Sequence, residues 1–144
     1  MKVRHFRRKI VFVADSLRMG GAERVLSLLA GALAGRGHGV SLITFHSPER
    51  DFYPLHPQVR RMALPHLTHA SQNVFEAVFY NIRRLSALRR AIHSLSPDVV
   101  ISFIDTINIG VLISLLGSAI PAIVSERLDP RIPYSKLIWR ILRS

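Results

Sequence analysis

At 144 residues and 49% hydrophobic, the chain has the length and composition of one globular domain, which excludes a disordered polymer. It holds no cysteine, so a disulfide framework, a thiolate metal site and a cysteine nucleophile are all excluded. Its formal net charge is +11, and arginines outnumber lysines 17 to 3; this points to phosphate or carboxylate partners, or to a basic solvated surface without one.

The basic N-terminus Met1–Lys9 runs into a short apolar strand, Lys9 to Ala14. That run is too short for the core of a secretory signal and meets Asp15 at once. Asp15 to Gly21 reads as a loop ending in Gly20-Gly21. A helix is expected over Ala22 to Arg36, with Val25, Leu28, Leu29, Ala32 and Leu33 on its apolar face and Gly37 as a left-handed cap. Val40 to Phe45 is the second strand; residues 46–58, with three prolines, form a loop; Val59 to Leu64 is a short third strand.

After a loop from Pro65 to Gln72, one long helix is predicted over Asn73 to Leu95, with Phe75, Val78, Ile82, Leu85, Ile92 and Leu95 on one stripe. Val99 to Phe103 is a strand, Ile107 to Leu116 a helix capped by Asp105 or Thr106, and Ile120 to Ser125 a strand. The uncharged stretch Ile107 to Val124 reaches the length of a membrane span, but Gly110, Gly117, Ser118 and Pro121 interrupt it, so it reads as helix, turn and strand. Tyr134 to Arg143 is again helical. Buried strands alternating with helices define an α/β, Rossmann-like parallel sheet covered on both faces. Residues 1–144 are read as one domain, truncated because no strand or linker follows the last helix.

Three constellations lie at the carboxyl ends of strands, where doubly wound sheets bind ligands. The first is Asp15-Ser16-Leu17-Arg18-Met19-Gly20-Gly21, a loop that opens a helix. Its glycines either let the backbone approach a phosphate at the helix N-terminus or only make a tight turn; local sequence leaves both open. The second holds Asp105 and Asn108, with helix capping the favoured role for Asp105. The third holds Ser125, Glu126 and Arg127, whose last two residues would otherwise form a local ion pair. A dinucleotide fingerprint is missing, since a single Gly-Gly pair replaces G-x-G-x-x-G and Phe45-His46 stands where a ribose-binding acid belongs. No Walker A loop occurs, and no recognition module for nucleic acid. His66 and His69 lack an acid or cysteine nearby, so no metal site is expected.

Lys9-Ile-Val-Phe-Val-Ala14 followed by Gly20-Gly-Ala-Glu-Arg-Val25 resembles the opening of family-4 glycosyltransferases. Arg36-Gly-His-Gly-Val40 leading into Ser41-Leu-Ile-Thr44, then Pro97-Asp-Val-Val-Ile-Ser-Phe103, then Pro121-Ala-Ile-Val-Ser-Glu-Arg127 with Asp129-Pro130, are similar to the family's later landmarks, in the right order. The resemblance implies the N-terminal, acceptor-side half of a two-domain GT-B enzyme that moves a sugar, with retention, from a nucleotide-sugar co-substrate to a lipid-linked or cell-envelope glycan. No further cofactor is implied. Gly20 and Gly21 would reach the donor diphosphate, while Asp15, Arg18, Asp105, Asn108, Ser125, Glu126 and Arg127 would line the cleft. The donor-binding C-terminal half has no counterpart here. The histidine that many members carry after the fourth strand is absent from Ser102-Phe103-Ile104-Asp105, so no catalytic residue is assigned; Leu128 stands where Asn is common.

A cytoplasmic protein is expected; Arg83, Arg84, Arg89 and Arg90 beside Phe79, Ile82, Leu85 and Leu88 either dock it on the inner face of an anionic membrane or, as on most amphipathic helices, stand solvated while the apolar stripe packs on the sheet. The other class of function open to the chain is a non-catalytic α/β domain that binds a phosphorylated ligand or an anionic membrane surface.

Overall fold

The computed structural model describes residues 6–64 and 74–125. In chain order the elements are β1 (Lys9–Ala14), α1 (Gly21–Gly35), β2 (Gly39–Thr44), a single 3-10 turn (Pro48–Arg50), β3 (Arg60–Ala63), α2 (Val74–Leu95), β4 (Val99–Phe103), α3 (Asp105–Ser114) and β5 (Ala122–Ser125). The five strands form one parallel sheet in the order β3-β2-β1-β4-β5, the expected Rossmann-like α/β architecture. The order reverses between β1 and β4, which fixes where a crevice opens at the carboxyl edge.

Period-two alternation divides the core between the faces. Ile10, Phe12 and Ala14 of β1 join Val40 and Leu42 of β2 and pack on Leu26, Ala30 and Ala34 of α1. Val11 and Val13 join Ile43 and pack on Leu88, Ala91 and Ile92 of α2 and on Ile107, Val111 and Leu115 of α3. Phe12 is fully buried at the centre of the first cluster; a side chain of that size contributes about 1.5–3 kcal/mol.

Helix α1 ends as the sequence predicts. Gly37 has φ +88°, its N–H donates to Ala34 O at 2.9 Å, and the His38 N–H donates to Leu33 O at 3.2 Å. That pair of bonds is a Schellman cap, and it satisfies carbonyls the helix leaves over. The Ile107–Val124 stretch divides as expected into α3, a turn with Gly117 at φ +72°, and β5. No helix among the described residues is long and apolar enough to cross a membrane.

Three expectations are corrected. The buried face of α1 is Leu26, Ala30 and Ala34, not the Leu28 and Leu29 face, which is exposed. Almost every side of α1 is apolar, so periodicity admits more than one phase, and the small alanines allow close approach to the sheet. In α2 the stripe is buried only in its C-terminal half. Phe75, Val78 and Ile82 are exposed, Phe75 at 89% and Ile82 at 58%. Finally, α3 begins at Asp105, and neither Asp105 nor Thr106 caps it; Ile104 precedes the helix with no side-chain cap. The predicted helix Tyr134–Arg143 lies outside the described residues.

Candidate functional site

The loop after β1 is pinned on both sides. The Asp15 carbonyl accepts from the Phe45 and His46 N–H groups at 3.1 Å each, which ties it to the end of β2. The buried Leu17 carbonyl accepts from Phe52 N at 2.9 Å and Tyr53 N at 3.2 Å. Residues 52–56 lie in turn along α1, where Ser27 Oγ donates to the Pro54 carbonyl at 2.6 Å. Two side chains hold the intervening loop: Arg61 of β3 pairs with Asp51, and its Nη2 donates to Thr44 Oγ1 at 3.0 Å and to the His46 carbonyl at 3.3 Å. Burial pushes the Arg61 pKa down from its ordinary value, and its Nε has no hydrogen-bond partner among the described residues.

Gly20 stands at the N-cap of α1 in extended backbone, and no side chain caps the helix. Neither Gly20 nor Gly21 has a positive φ, so a side chain at either position carries no left-handed backbone strain. A Cβ on Gly20 would run into the Glu23 carboxylate, whereas one on Gly21 meets nothing within 4 Å. Free N–H groups of this first turn, with the helix dipole behind them, suit an anion once the flexible Glu23 side chain swings aside.

After the carboxyl ends of β1 and β2 three charged or titratable groups converge. Asp15 Oδ2 lies 3.3 Å from His46 Nε2, and Asp15 Oδ1 lies 3.6 Å from Arg84 Nη2 of α2. The Arg84 guanidinium stacks on the Phe45 ring, 3.8 Å from its centroid. Burial lowers its pKa from the ordinary value, and Asp15 opposes that shift. Next to the cluster an open, mostly apolar groove of about 390 Å³ runs between α2 and α3. Leu85 and Leu88 form one wall, Ile107 and Ile113 the other, and Asn81, Arg84 and Thr106 supply its polar edge.

At the β4 end, Ser102 Oγ donates to Asn108 Oδ1 at 2.7 Å, and Asn108 Nδ2 donates to the Ser125 carbonyl at 3.2 Å. Asn108 is 0% exposed, so its side chain ties β4, α3 and β5 together instead of facing a cleft. Asp105 opens α3 at 7% exposure. Ile104 before it has φ +76°, an unusual conformation for a β-branched residue, at the switch point of the sheet. Arg18 is exposed, and its N–H reaches Ser16 Oγ at 3.4 Å. Glu126, Arg127, His66 and His69 lie outside the described residues. Among the described residues no group of three or more His, Asp or Glu side chains is placed to hold a metal.

The four arginines assigned to a membrane surface therefore separate. Arg84 belongs to the Asp15 cluster. Arg89 Nη1 donates to the Ser114 and Leu116 carbonyls at 2.7 and 2.8 Å and closes the C-terminal end of α3. Arg83 and Arg90 are exposed. Sequence reading missed His46 and the Arg61–Asp51 pair. His46 carried a signal, since it closely follows the second strand at the ligand-binding edge; Arg61 and Asp51 carried none.

The profile of the glycosyl transferase 4-like domain matches residues 20–141. The GalNAc-alpha-(1->4)-GalNAc-alpha-(1->3)-diNAcBac-PP-undecaprenol alpha-1,4-N-acetyl-D-galactosaminyltransferase of Campylobacter jejuni is 38% identical over 139 residues. The match covers 94% of this chain and 36% of that enzyme, so the chain spans about a third of the curated relative's length. Two crystal structures of the C-terminal domain of a Pyrococcus furiosus hydrogenase superpose with TM-scores of 0.56, at 14% and 16% identity. Each covers 86% of this chain and 96% of the archaeal domain, a likeness of fold alone.

Proposed function

The chain belongs to the glycosyl transferase 4-like family, and from that premise we propose that it is the N-terminal, acceptor-side half of a retaining glycosyltransferase. The donor is a nucleotide-sugar, the acceptor a lipid-linked or cell-envelope glycan, and no other cofactor is required. The observation that carries this reading is that the α1 N-terminus, which no side chain caps, and the Asp15–His46–Arg84 cluster both lie at the carboxyl edge of the sheet. The α1 N-terminus suits a diphosphate. Asp15 and His46 offer an acceptor hydroxyl a carboxylate and an imidazole at hydrogen-bonding range, and Arg84 holds Asp15 in place.

Catalysis requires both substrates in a closed cleft whose other wall is a donor-binding domain. Residues 1–144 alone are therefore inactive, and turnover by the purified fragment would contradict this. The deciding experiment is sugar transfer by the full-length gene product, assayed against a panel of sugar nucleotides and lipid-linked acceptors. Transfer of a hexose or N-acetylhexosamine is expected; no transfer from any donor would overturn the reading.

A second reading, peripheral contact with an anionic membrane at a cytoplasmic face, is supported by the exposed Arg83 and Arg90 on the helix that exposes Phe75, Val78 and Phe79.

A further inference from the structure

At the amino edge of the sheet, opposite the loops described above, an open cavity of about 460 Å³ lies between the ends of β1, β2 and β3 and the end of α2. The parallel ladder sets Lys9 beside Gly39, and Ser41 beside Arg60. Side chains alternate along a strand, so these four positions share the face of Val11, Ile43 and Met62, which is the face that carries α2. The last turn of α2 closes one side through Ser94, and Gln58 lines the other. Gly39 leaves the floor open, since a Cβ there would lie 3.9 Å from Lys9 Cγ.

Among the described residues, no carboxylate lines this cavity. Asp98, the acid beside β1, accepts from the Lys9 backbone N–H at 2.7 Å and lies 3.8 Å from Arg8 Nη1. The ion pairs formed among the described residues engage Arg8, His46, Arg61 and Arg84, not the side chains of Lys9 and Arg60. Two cations therefore face one polar cavity. Arginine offers a planar fork and lysine a point charge, while a phosphomonoester brings a charge of about −1.5 to −2 and three acceptor oxygens. Ser41 and Gln58 can hydrogen-bond the group that the phosphate is attached to.

We infer that this amino-edge cavity binds a phosphomonoester, held between Lys9 and Arg60. β1 spans six residues, so the site lies about 17 Å from the carboxyl edge. It is separate from the crevice proposed for sugar transfer, and a ligand there acts on the protein without touching the transferred sugar. The inference does not rest on the transferase reading. The competing role for the two cations is to face the last carbonyls of α2, where the helix dipole favours positive charge.

The test is calorimetry on the full-length protein with three probes: glycerol phosphate, acetate, and vesicles of phosphatidate in neutral lipid. Glycerol phosphate is expected to saturate, and acetate not to. Lys9→Gln combined with Arg60→Gln should weaken glycerol phosphate about tenfold or more. Gly39→Ile keeps both charges and fills the floor; it should weaken binding as well, and serves if the double variant fails to fold. Gly21→Val, at the opposite edge, should leave the affinity unchanged. Saturation by phosphatidate vesicles alone, lost in the same two variants, supports the site and assigns its phosphomonoester to a lipid headgroup. Undiminished affinity in the folded double variant overturns the inference; a lowered melting temperature with it means that the cations serve only the end of α2. Acetate binding as tightly as glycerol phosphate overturns it, as does binding of no probe. Loss of binding in Gly21→Val but not in the double variant overturns it too, because the phosphate then sits at the α1 N-terminus.

Discussion

Gly37 is held at φ +88°, where an L side chain is strained. Gly37→Ala keeps the Schellman bonds but carries that strain, with an expected loss of about 1 kcal/mol; an unshifted urea midpoint would refute it. Gly21 is the opposite case. Its φ is not positive and a Cβ there meets nothing, so Gly21→Val folds normally. If donor diphosphate approaches this backbone, the same substitution in the full-length enzyme cuts kcat/KM; unchanged kinetics would leave the glycine pair a tight turn only. Arg61 is the third informative residue. Removing it leaves Asp51 without its cation and frees the loop that follows β2. Arg61→Met is expected to cost about 1.5–3 kcal/mol in urea unfolding. The double variant with Asp51→Leu should cost less, because it leaves no uncompensated carboxylate; a larger loss in the double would contradict that account.

Elements differ in how much of their setting they reveal. β1, β4 and the glycine end of α1 were legible because their signals are local: β-branched runs for the strands and one glycine for the cap. The phase of α1 was not, because an apolar residue lies on nearly every side and only contact with the sheet chooses Leu26, Ala30 and Ala34. The stripe of α2 was legible as a stripe, but its length outruns the sheet it packs on. The site followed the same division. The loop after β1 was found from its glycines and its place at a strand end. The Asp15–His46–Arg84 cluster was not, because Arg84 reaches it from a helix 69 positions along the chain. Asn108 looked like a cleft residue for the converse reason: its position at a strand-to-helix junction is legible, but its two buried hydrogen bonds are not.

Across the whole molecule, the +11 charge is not one undivided surface. Arg61 and Arg84 are tied to carboxylates and Arg89 to the α3 carbonyls, so counting cations on α2 overstates what an external anion meets. Arg83 and Arg90 are exposed. If the protein docks on anionic lipid, these two supply the attraction contributed by α2, at about 1 kcal/mol each. Replacing both with Gln in the full-length enzyme is then expected to lower partitioning onto anionic vesicles at low salt by about thirtyfold, since two such contributions are lost. Arg89→Gln should leave partitioning unchanged and lower the melting temperature, because it removes two bonds to the end of α3 and nothing that faces a vesicle. Raising salt to about 1 M shortens the screening length to about 3 Å and should release the wild type. Sedimentation with vesicles reads all four conditions. If Arg89→Gln weakens partitioning as much as the double variant, membrane contact follows total charge and α2 has no oriented docking face.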